Sequence, residues 1–454
     1  MSFAATLSGA RRRLDALDTA LFVLYLVGLY LGVSLQITST IPLTCAPSGV
    51  AGLLMLWRRR DQLQSRELAG LLLVVGLYLA SILSAADLTF LPKRFTGLLQ
   101  LVYSLVIGYA MFMTMTSGDR DQIAAILLGF CVFIIIGCLL EEYGGLRALS
   151  DKVREHLYDA GAVYDADRRD ELLYGRIRPK LFTSEPSAVT FAYTQYSSIW
   201  LVVSRSRWKF AIYFGLVAMA LVVLPGPTLM LMLLLAIPYI MFLAGGARRA
   251  SVSRMFGAAI VSSLVVLVAV VVGQTLFAAR LHQLQAGQDA SFFYRFTGPM
   301  LLAFDMFRHH PWAGSGLTGE LSIASDVMNV YMNSASFSSA WRIPKVADVI
   351  TNYFWQHWIY LGLVWGVVVT AGLSLWLRWL GAASILYCWS VWAILGQASG
   401  AYVGPKTWAV LLIAAAASVM VARAEAEEDV PMPRGRTEPW FVRRRYPQFA
   451  RSAL

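Results

Sequence analysis

Charge is scarce in this chain of 454 residues. Asp, Glu, Lys and Arg make up 14% of it, against roughly 25% in an average soluble protein. With 58% of its residues hydrophobic, a soluble globular enzyme is excluded. Cysteine is also rare. Cys45, Cys131, Cys138 and Cys388 all lie in or beside apolar segments. They show no metal-ligand spacing and no paired loop positions, so they read as buried thiols rather than a zinc module or a disulfide framework. The net charge of +11 would point to nucleic acid in a soluble chain. Here its distribution over loops matters more, and no nucleic-acid partner is expected.

What the chain has in abundance is long apolar runs. A helix needs about 20 largely apolar residues to cross the hydrocarbon of a bilayer. Twelve stretches are candidates, near 19–38, 41–57, 68–86, 97–116, 123–141, 187–204, 210–224, 226–244, 255–276, 350–373, 381–397 and 407–422. The expected fold is an all-α polytopic membrane protein of about twelve transmembrane helices. Pro42, Pro47 and Gly49 interrupt the second stretch, and only the tight turn Leu224-Pro225-Gly226-Pro227 separates the seventh from the eighth. The first run is too long for a signal-peptide core and lacks a small-residue cleavage site, so it is expected to remain as a span.

Loop charge orients the set. Arg11-Arg12-Arg13, Arg58-Arg59-Arg60, Arg120, Arg205, Arg207, Lys209, Arg248, Arg249, Arg378 and Arg443-Arg444-Arg445 fall on one side, nearly all in short loops or tails. The positive-inside rule makes that side cytoplasmic, with both termini. The chain then divides into a cytoplasmic N-terminus (1–18), five spans (19–141), an outer loop (142–186), four spans (187–276), a large outer loop (277–349), three spans (350–422) and a cytoplasmic tail (423–454). The acidic, then proline- and arginine-rich composition of the tail predicts disorder. Outer loops of this length are usually functional. All five histidines, His156, His282, His309, His310 and His357, lie on the outer side as well.

Three constellations there could carry chemistry. The first loop holds Arg168-Arg169 and then Arg176-Ile177-Arg178-Pro179-Lys180, followed by Leu181-Phe182-Thr183-Ser184-Glu185-Pro186-Ser187 at the start of the next span. Pro186 suits the first turn of that helix, whose dipole adds positive potential at the same level. Arginine forks bind phosphate bidentately, which suggests a site for a lipid-linked phosphate or pyrophosphate. Pairing with Asp165, Asp167, Asp170 and Glu171, or anchoring to lipid headgroups, accounts for the same charges equally well. Asp165-Ala166-Asp167 matches a short metal-binding pattern of nucleotide-sugar transferases, but it faces the compartment without nucleotide sugars, and Arg168-Arg169 opposes a cation.

The second loop runs Ser291-Phe292-Phe293-Tyr294-Arg295-Phe296, then an amphipathic helix from Pro299 to Phe307, then Arg308-His309-His310-Pro311-Trp312-Ala313-Gly314-Ser315-Gly316. Pro311, Gly314 and Gly316 mark a turn whose backbone amides could approach a ligand closely. A metal at His309 and His310 would need a third ligand, for which Asp305 and Glu320 are weak candidates. The alternative is a helix end where histidines are favoured by the dipole. The tenth span opens Thr351-Asn352-Tyr353-Phe354-Trp355-Gln356-His357 and continues to Gly362 and Gly366. Polar groups at that depth face a cavity or a protein partner.

In this order and on this side, the three segments resemble the bacterial O-antigen ligase and Wzy-type polysaccharide polymerase superfamily. The resemblance rests on Arg178 with Phe182 to Ser187, Arg295 with Pro311/Gly314/Gly316, and Thr351-Asn352 with Gly362 and Gly366, some 60 residues in all. Three places depart from it. Thr351 stands where ligases carry a histidine, the glycine pair is one residue wider, and Pro225-Gly226-Pro227-Thr228 replaces a Ser-Arg turn. These departures, with Glu185-Pro186-Ser187, look more like a polymerase than a ligase.

The resemblance implies a GT-C-like glycosyltransferase of the bacterial inner membrane. It would join undecaprenyl-pyrophosphate-linked repeat units on the periplasmic side without metal, cofactor or nucleotide sugar, with a chain-length regulator as a further partner. Arg176, Arg178 and Arg295 are then expected to bind pyrophosphate, His310, His357 or Glu185 to serve as base, and His309, Asn352, Gly314 and Gly316 to make further substrate contacts. The aromatics Phe292, Phe293, Tyr294, Trp312 and Trp341 could stack on sugars. Transfer of glycan to lipid A core, as by a ligase, and transport of the lipid-linked unit stay open as alternatives. Against transport, the halves show no internal repeat and midspan charge is nearly absent.

Overall fold

The computed structural model describes residues 13–38, 41–85, 89–159, 161, 163–226, 228–244, 252–276, 278, 282, 289–335, 337 and 346–428. Trp341 lies outside them. Each of the twelve apolar stretches carries a helix: α1 (Ala16–Leu31), α2 (Ala46–Arg58), α3 (Ser65–Leu83), α4 (Leu91–Ser117), α5 (Arg120–Tyr143), and, beyond the first loop, seven more. In that loop lie α6 (Arg147–Leu157) and α7 (Asp167–Tyr174), followed by α8 (Pro186–Val203), α9 (Lys209–Val223), α10 (Thr228–Phe242) and α11 (Val252–Leu276). The second loop contains a π-helical turn at Phe293–Thr297, α12 (Gly298–His309) and α13 (Ala324–Met332). The last three are α14 (Tyr353–Trp379), α15 (Ile385–Gly396) and α16 (Pro405–Glu428).

Six of these, α3, α4, α5, α11, α14 and α16, are long and apolar enough to cross a membrane, and α1, α9, α10 and α15 are shorter apolar helices. The chain is a multi-pass membrane protein. The second stretch departs from expectation for a physical reason. Pro42 sits in a two-stranded hairpin, Leu35–Thr38 against Ile41–Leu43, and Cys45 takes a left-handed backbone with φ 53° before α2 begins. That leaves 13 residues of helix, roughly 20 Å at 1.5 Å per residue, short of a hydrocarbon core of about 30 Å. At the other end α16 continues to Glu428, past the expected start of the tail, of which 429–454 lie outside the described residues.

Helix α16 is the central element, packed along α4 and against α8 and α15. Small residues make the approach possible: Ala414 to Ala417 are fully buried, and a side chain on Gly108 would collide with Leu412. Close backbone contact of this kind is what holds helices together where lipid supplies no hydrophobic drive. By contrast α11 leaves Phe256, Ile260, Leu264 and Leu267 exposed, as a lipid-facing helix does. One end of the bundle is tied by arginines to helix ends. Arg120 donates to the carbonyls of Val203 and Val202 at 2.5 and 3.0 Å, capping α8, and Arg59 pairs with Asp18 at 2.9 Å. At the opposite end the starts of α8, α10 and α14 and the ends of α11 and α15 meet the two long loops.

Candidate functional site

At that opposite end lies a cavity of about 300 Å³, walled by Arg169, Arg178, Glu185, Arg295, Phe292 and Gln397 among others. Residues from both long loops line it together with helix ends of α8, α10 and α15. Three arginines and one glutamate thus line one cavity in a mostly apolar scaffold.

Arg178 is the most firmly placed. Gly175 ends α7 with φ 72° and turns the chain back, so that Arg178 returns to Asp170, a carboxylate buried in α7. Its Nε and Nη2 fork around Oδ1 of Asp170 at 2.9 and 2.8 Å. The Tyr164 hydroxyl donates to the same oxygen at 2.9 Å, and the guanidinium carbon stands 4.9 Å from the centroid of the Tyr174 ring. Burial pulls the Arg178 pKa down, but the hydrogen bond and charge of Asp170, with Tyr174 and Tyr164, outweigh it and hold the pKa above its ordinary value. Burial, and then Asp170, likewise raise the Tyr164 hydroxyl. The arginine is a fixed cation. Pairing with the loop's acids does occur, and it orients the arginine while one face still lines the cavity.

Arg295 sits on the π-helical turn between Phe293 and Thr297, and no hydrogen bond or ion pair to its guanidinium exists among the described residues. Its backbone is what is held. Asn352, buried at the start of α14, donates from Nδ2 to the Arg295 carbonyl and to Oε1 of Gln397, both at 2.8 Å. Thr351 donates to the neighbouring Tyr294 carbonyl at 3.2 Å. Asn352 therefore fixes two cavity residues without lining the cavity itself. Arg169, the third guanidinium, lies 3.8 Å from Asp289 and is about half exposed.

Glu185 is the N-cap residue of α8 in extended conformation, and its side chain makes no capping bond. Its carboxylate accepts from the Ser187 hydroxyl, and the residue lines the same cavity as the three arginines. Phe292 and Phe296, also in the wall, stack with ring centroids 4.9 Å apart. Phe293 is buried and Trp312 lies exposed on the outer surface.

The other expected site residues are placed elsewhere. Arg176, two residues from Arg178, points away, pairs with Glu142 at 2.6 Å and donates to the Val222 carbonyl. His309 pairs with Asp305 at 3.1 Å, and His310 lies 3.9 Å from Asp326; both are largely exposed and neither reaches the cavity. His357 is buried in α14, with Nδ1 2.8 Å from the Tyr402 hydroxyl and Nε2 3.1 Å from the Gly366 carbonyl and from the Thr370 hydroxyl. A carbonyl only accepts, so Nε2 carries the proton and Nδ1 accepts from Tyr402.

The glycine turn also has a structural partner rather than a ligand. Gly314, φ 53°, would drive a Cβ to 2.2 Å from the Ile359 carbonyl, and one on Gly316, φ 75°, would strike the buried Arg94 side chain. The turn's groups are taken by α14, which breaks at Gly362 (φ 65°). Ser315 N donates to Ile359, while Val364 and Trp365 N donate to the carbonyls of Pro311 and Trp312. Asp167 of the Asp-x-Asp pattern pairs with Lys180 at 2.8 Å. Three wall residues lie outside the expected set, Arg169, Ser187 and Gln397, whereas pairing with Asp170 is among the readings that the sequence offers. Gln397, a polar residue closing the eleventh apolar stretch, carries a readable signal.

No protein-family model, curated protein or solved structure matches the chain.

Proposed function

We propose that the chain is a Wzy-type polysaccharide polymerase, a glycosyltransferase that joins undecaprenyl-pyrophosphate-linked repeat units. The observation that carries this reading is the meeting of Arg169, Arg178 and Arg295 with Glu185 in one cavity. In the proposed reaction the bond from the anomeric carbon to the pyrophosphate oxygen breaks, and a bond to an acceptor hydroxyl forms. The hydroxyl's proton passes to the Glu185 carboxylate, and undecaprenyl pyrophosphate leaves as the anion. Guanidinium groups lining the cavity stabilise that charge as it develops, and a positioned base contributes roughly 10²–10⁴-fold. Glu185 takes the role of base because it alone of the three candidates lines the cavity with the arginines; His357 is consumed by α14 and Tyr402, and His310 lies at the surface.

In the same reading the bundle of about twelve helices, the short α2 among them, is embedded in the bacterial inner membrane in a GT-C-like arrangement. Both termini are cytoplasmic and the cavity opens on the periplasmic side, where the short basic loops are not. Met230, Leu231 and Leu173, which also line the cavity, offer an apolar wall to the prenyl chain.

The test uses the full-length protein in nanodiscs with a synthetic pyrophosphate-linked repeat unit. A ladder of regularly spaced products, collapsing in Arg178→Ala, is the expected outcome. Transfer only when lipid A core is supplied would replace polymerase by ligase. No product with either acceptor, across several repeat units, would move the assignment to a carrier.

A further inference from the structure

The segment that delivers Glu185 to the cavity is held by buried side chains from three helices. Leu181 and Phe182 both adopt positive φ, 34° and 65°, a region that residues with side chains rarely occupy and that persists only where the surroundings over-determine it. Those surroundings are explicit. The buried Glu141 carboxylate, near the end of α5, accepts from the backbone N–H groups of Lys180 and Leu181 at 2.9 and 2.5 Å. Arg154 of α6, equally buried, donates to the carbonyls of Thr183 and Ser184 at 2.7 and 3.0 Å. Tyr30 donates to the Leu181 carbonyl at 2.7 Å, Tyr158 to that of Phe182 at 3.1 Å, and Ser150 accepts from Phe182 N at 3.0 Å. The Leu181 side chain fills the space beside Gly137, where a Cβ would stand 2.7 Å from it.

We propose that Glu141 and Arg154 are positioning residues, which act on the reaction by holding the strained Lys180–Ser184 path that sets Glu185 among the three arginines. This rests on the polymerase reading for the reaction it serves, but the placement itself is independent of it. Neither residue lines the cavity. Glu141 is suited to the task because a carboxylate offers an acceptor to each of two successive N–H groups; an amide offers one and sets a donor against the other. Arg154 is suited because its planar fork spans two successive carbonyls, a geometry that an ammonium cannot reproduce.

The test has two readouts on the full-length protein in nanodiscs. In the first, Glu141→Gln and Arg154→Lys are assayed for transfer. A displacement of about 1 Å at the base is expected to lower kcat by up to about 10²-fold, with the KM for the lipid-linked donor unchanged. The second reads placement without catalysis. In a Glu185→Cys background, a sulfonate-bearing thiol reagent is expected to react faster than a neutral one, drawn by the arginines; the four native cysteines are buried. Adding Glu141→Gln or Arg154→Lys should abolish that preference. If the wild type transfers nothing yet the preference depends on Glu141, the positioning stands and the reaction assignment falls. If transfer occurs while both kcat and the reagent preference ignore these substitutions, the positioning proposal is wrong. A parallel loss of kcat, KM and thermal stability would reduce both residues to folding alone and overturn it too.

Discussion

Asn352 and Arg295 are 57 residues apart in the chain, yet the Asn352 side-chain amide donates to the Arg295 backbone carbonyl at 2.8 Å. The same amide reaches Gln397, so one buried residue couples the π-turn of the second loop to the end of α15. Asn352→Ala leaves both half-buried acceptors without their donor, at a cost of about 0.5–1.5 kcal/mol per hydrogen bond. The expected result is a lower melting temperature with a raised KM for donor lipid, because Arg295 and Gln397 both lose their anchor. Unchanged KM in the folded fraction would separate Asn352 from the cavity.

The Arg178–Asp170–Tyr164 clamp makes a prediction about pH. The pKa values of both Arg178 and Tyr164 are raised, Tyr164 from 10.0. A raised folded-state value means that the folded protein holds the proton more tightly. The stability it adds is therefore present below about pH 10 and lost as pH rises beyond. Thermal unfolding across pH should show an alkaline loss in the wild type that is smaller in Tyr164→Phe.

Of the histidines, the exposed and the buried should part company. His310→Ala is expected to leave transfer near the wild-type rate and stability within about 0.5 kcal/mol, as surface substitutions do. His357→Phe removes the contacts to Tyr402, Gly366 and Thr370, and should destabilise by about 1–3 kcal/mol for each buried partner left unsatisfied. Kinetics and melting curves on both variants check this; a large kcat loss in His310→Ala at full stability would return that residue to the reaction.

The turn at Gly314 and Gly316 should prove structural. Gly314→Ala forces a side chain onto a positive φ and against the Ile359 carbonyl, with backbone strain alone costing about 1–3 kcal/mol. The expected outcome is reduced folded yield and melting temperature, with an unaltered KM in what folds. A raised KM at full stability would show that the turn touches substrate.

The helices were legible because hydropathy, residue by residue, dictates where a chain can cross lipid. Each expected stretch carries a helix, and the exception in detail, α2, failed at Pro42 and Cys45, where a hairpin took the first residues. The site was legible only in part. Arg178 and Arg295 stood out as cations in outer loops, but Arg176 looks identical in sequence. The left-handed turn at Gly175 sends Arg178 back to Asp170, while Arg176 goes to Glu142 on the far side. In sequence the glycine turn and His357 look ligand-facing, because polar or flexible residues near a boundary usually face a cavity. Here the break in α14 at Gly362 consumed them. Gln397 carries a signal, a polar residue closing an apolar stretch, but the Glu141 and Arg154 contacts depend on tertiary packing that no local pattern encodes.

The central claim is that Glu185 accepts the proton while Arg178 stabilises the leaving pyrophosphate. Its most direct test is a single-turnover measurement of undecaprenyl pyrophosphate release from a labelled repeat unit, in wild type, Glu185→Gln and Arg178→Ala. The account expects release equal to glycosidic bonds formed in the wild type. It expects a fall of roughly 10²–10⁴-fold in Glu185→Gln with donor still bound, and roughly 10²–10³-fold in Arg178→Ala. Wild-type release rates in both variants, with the fold intact, would contradict it.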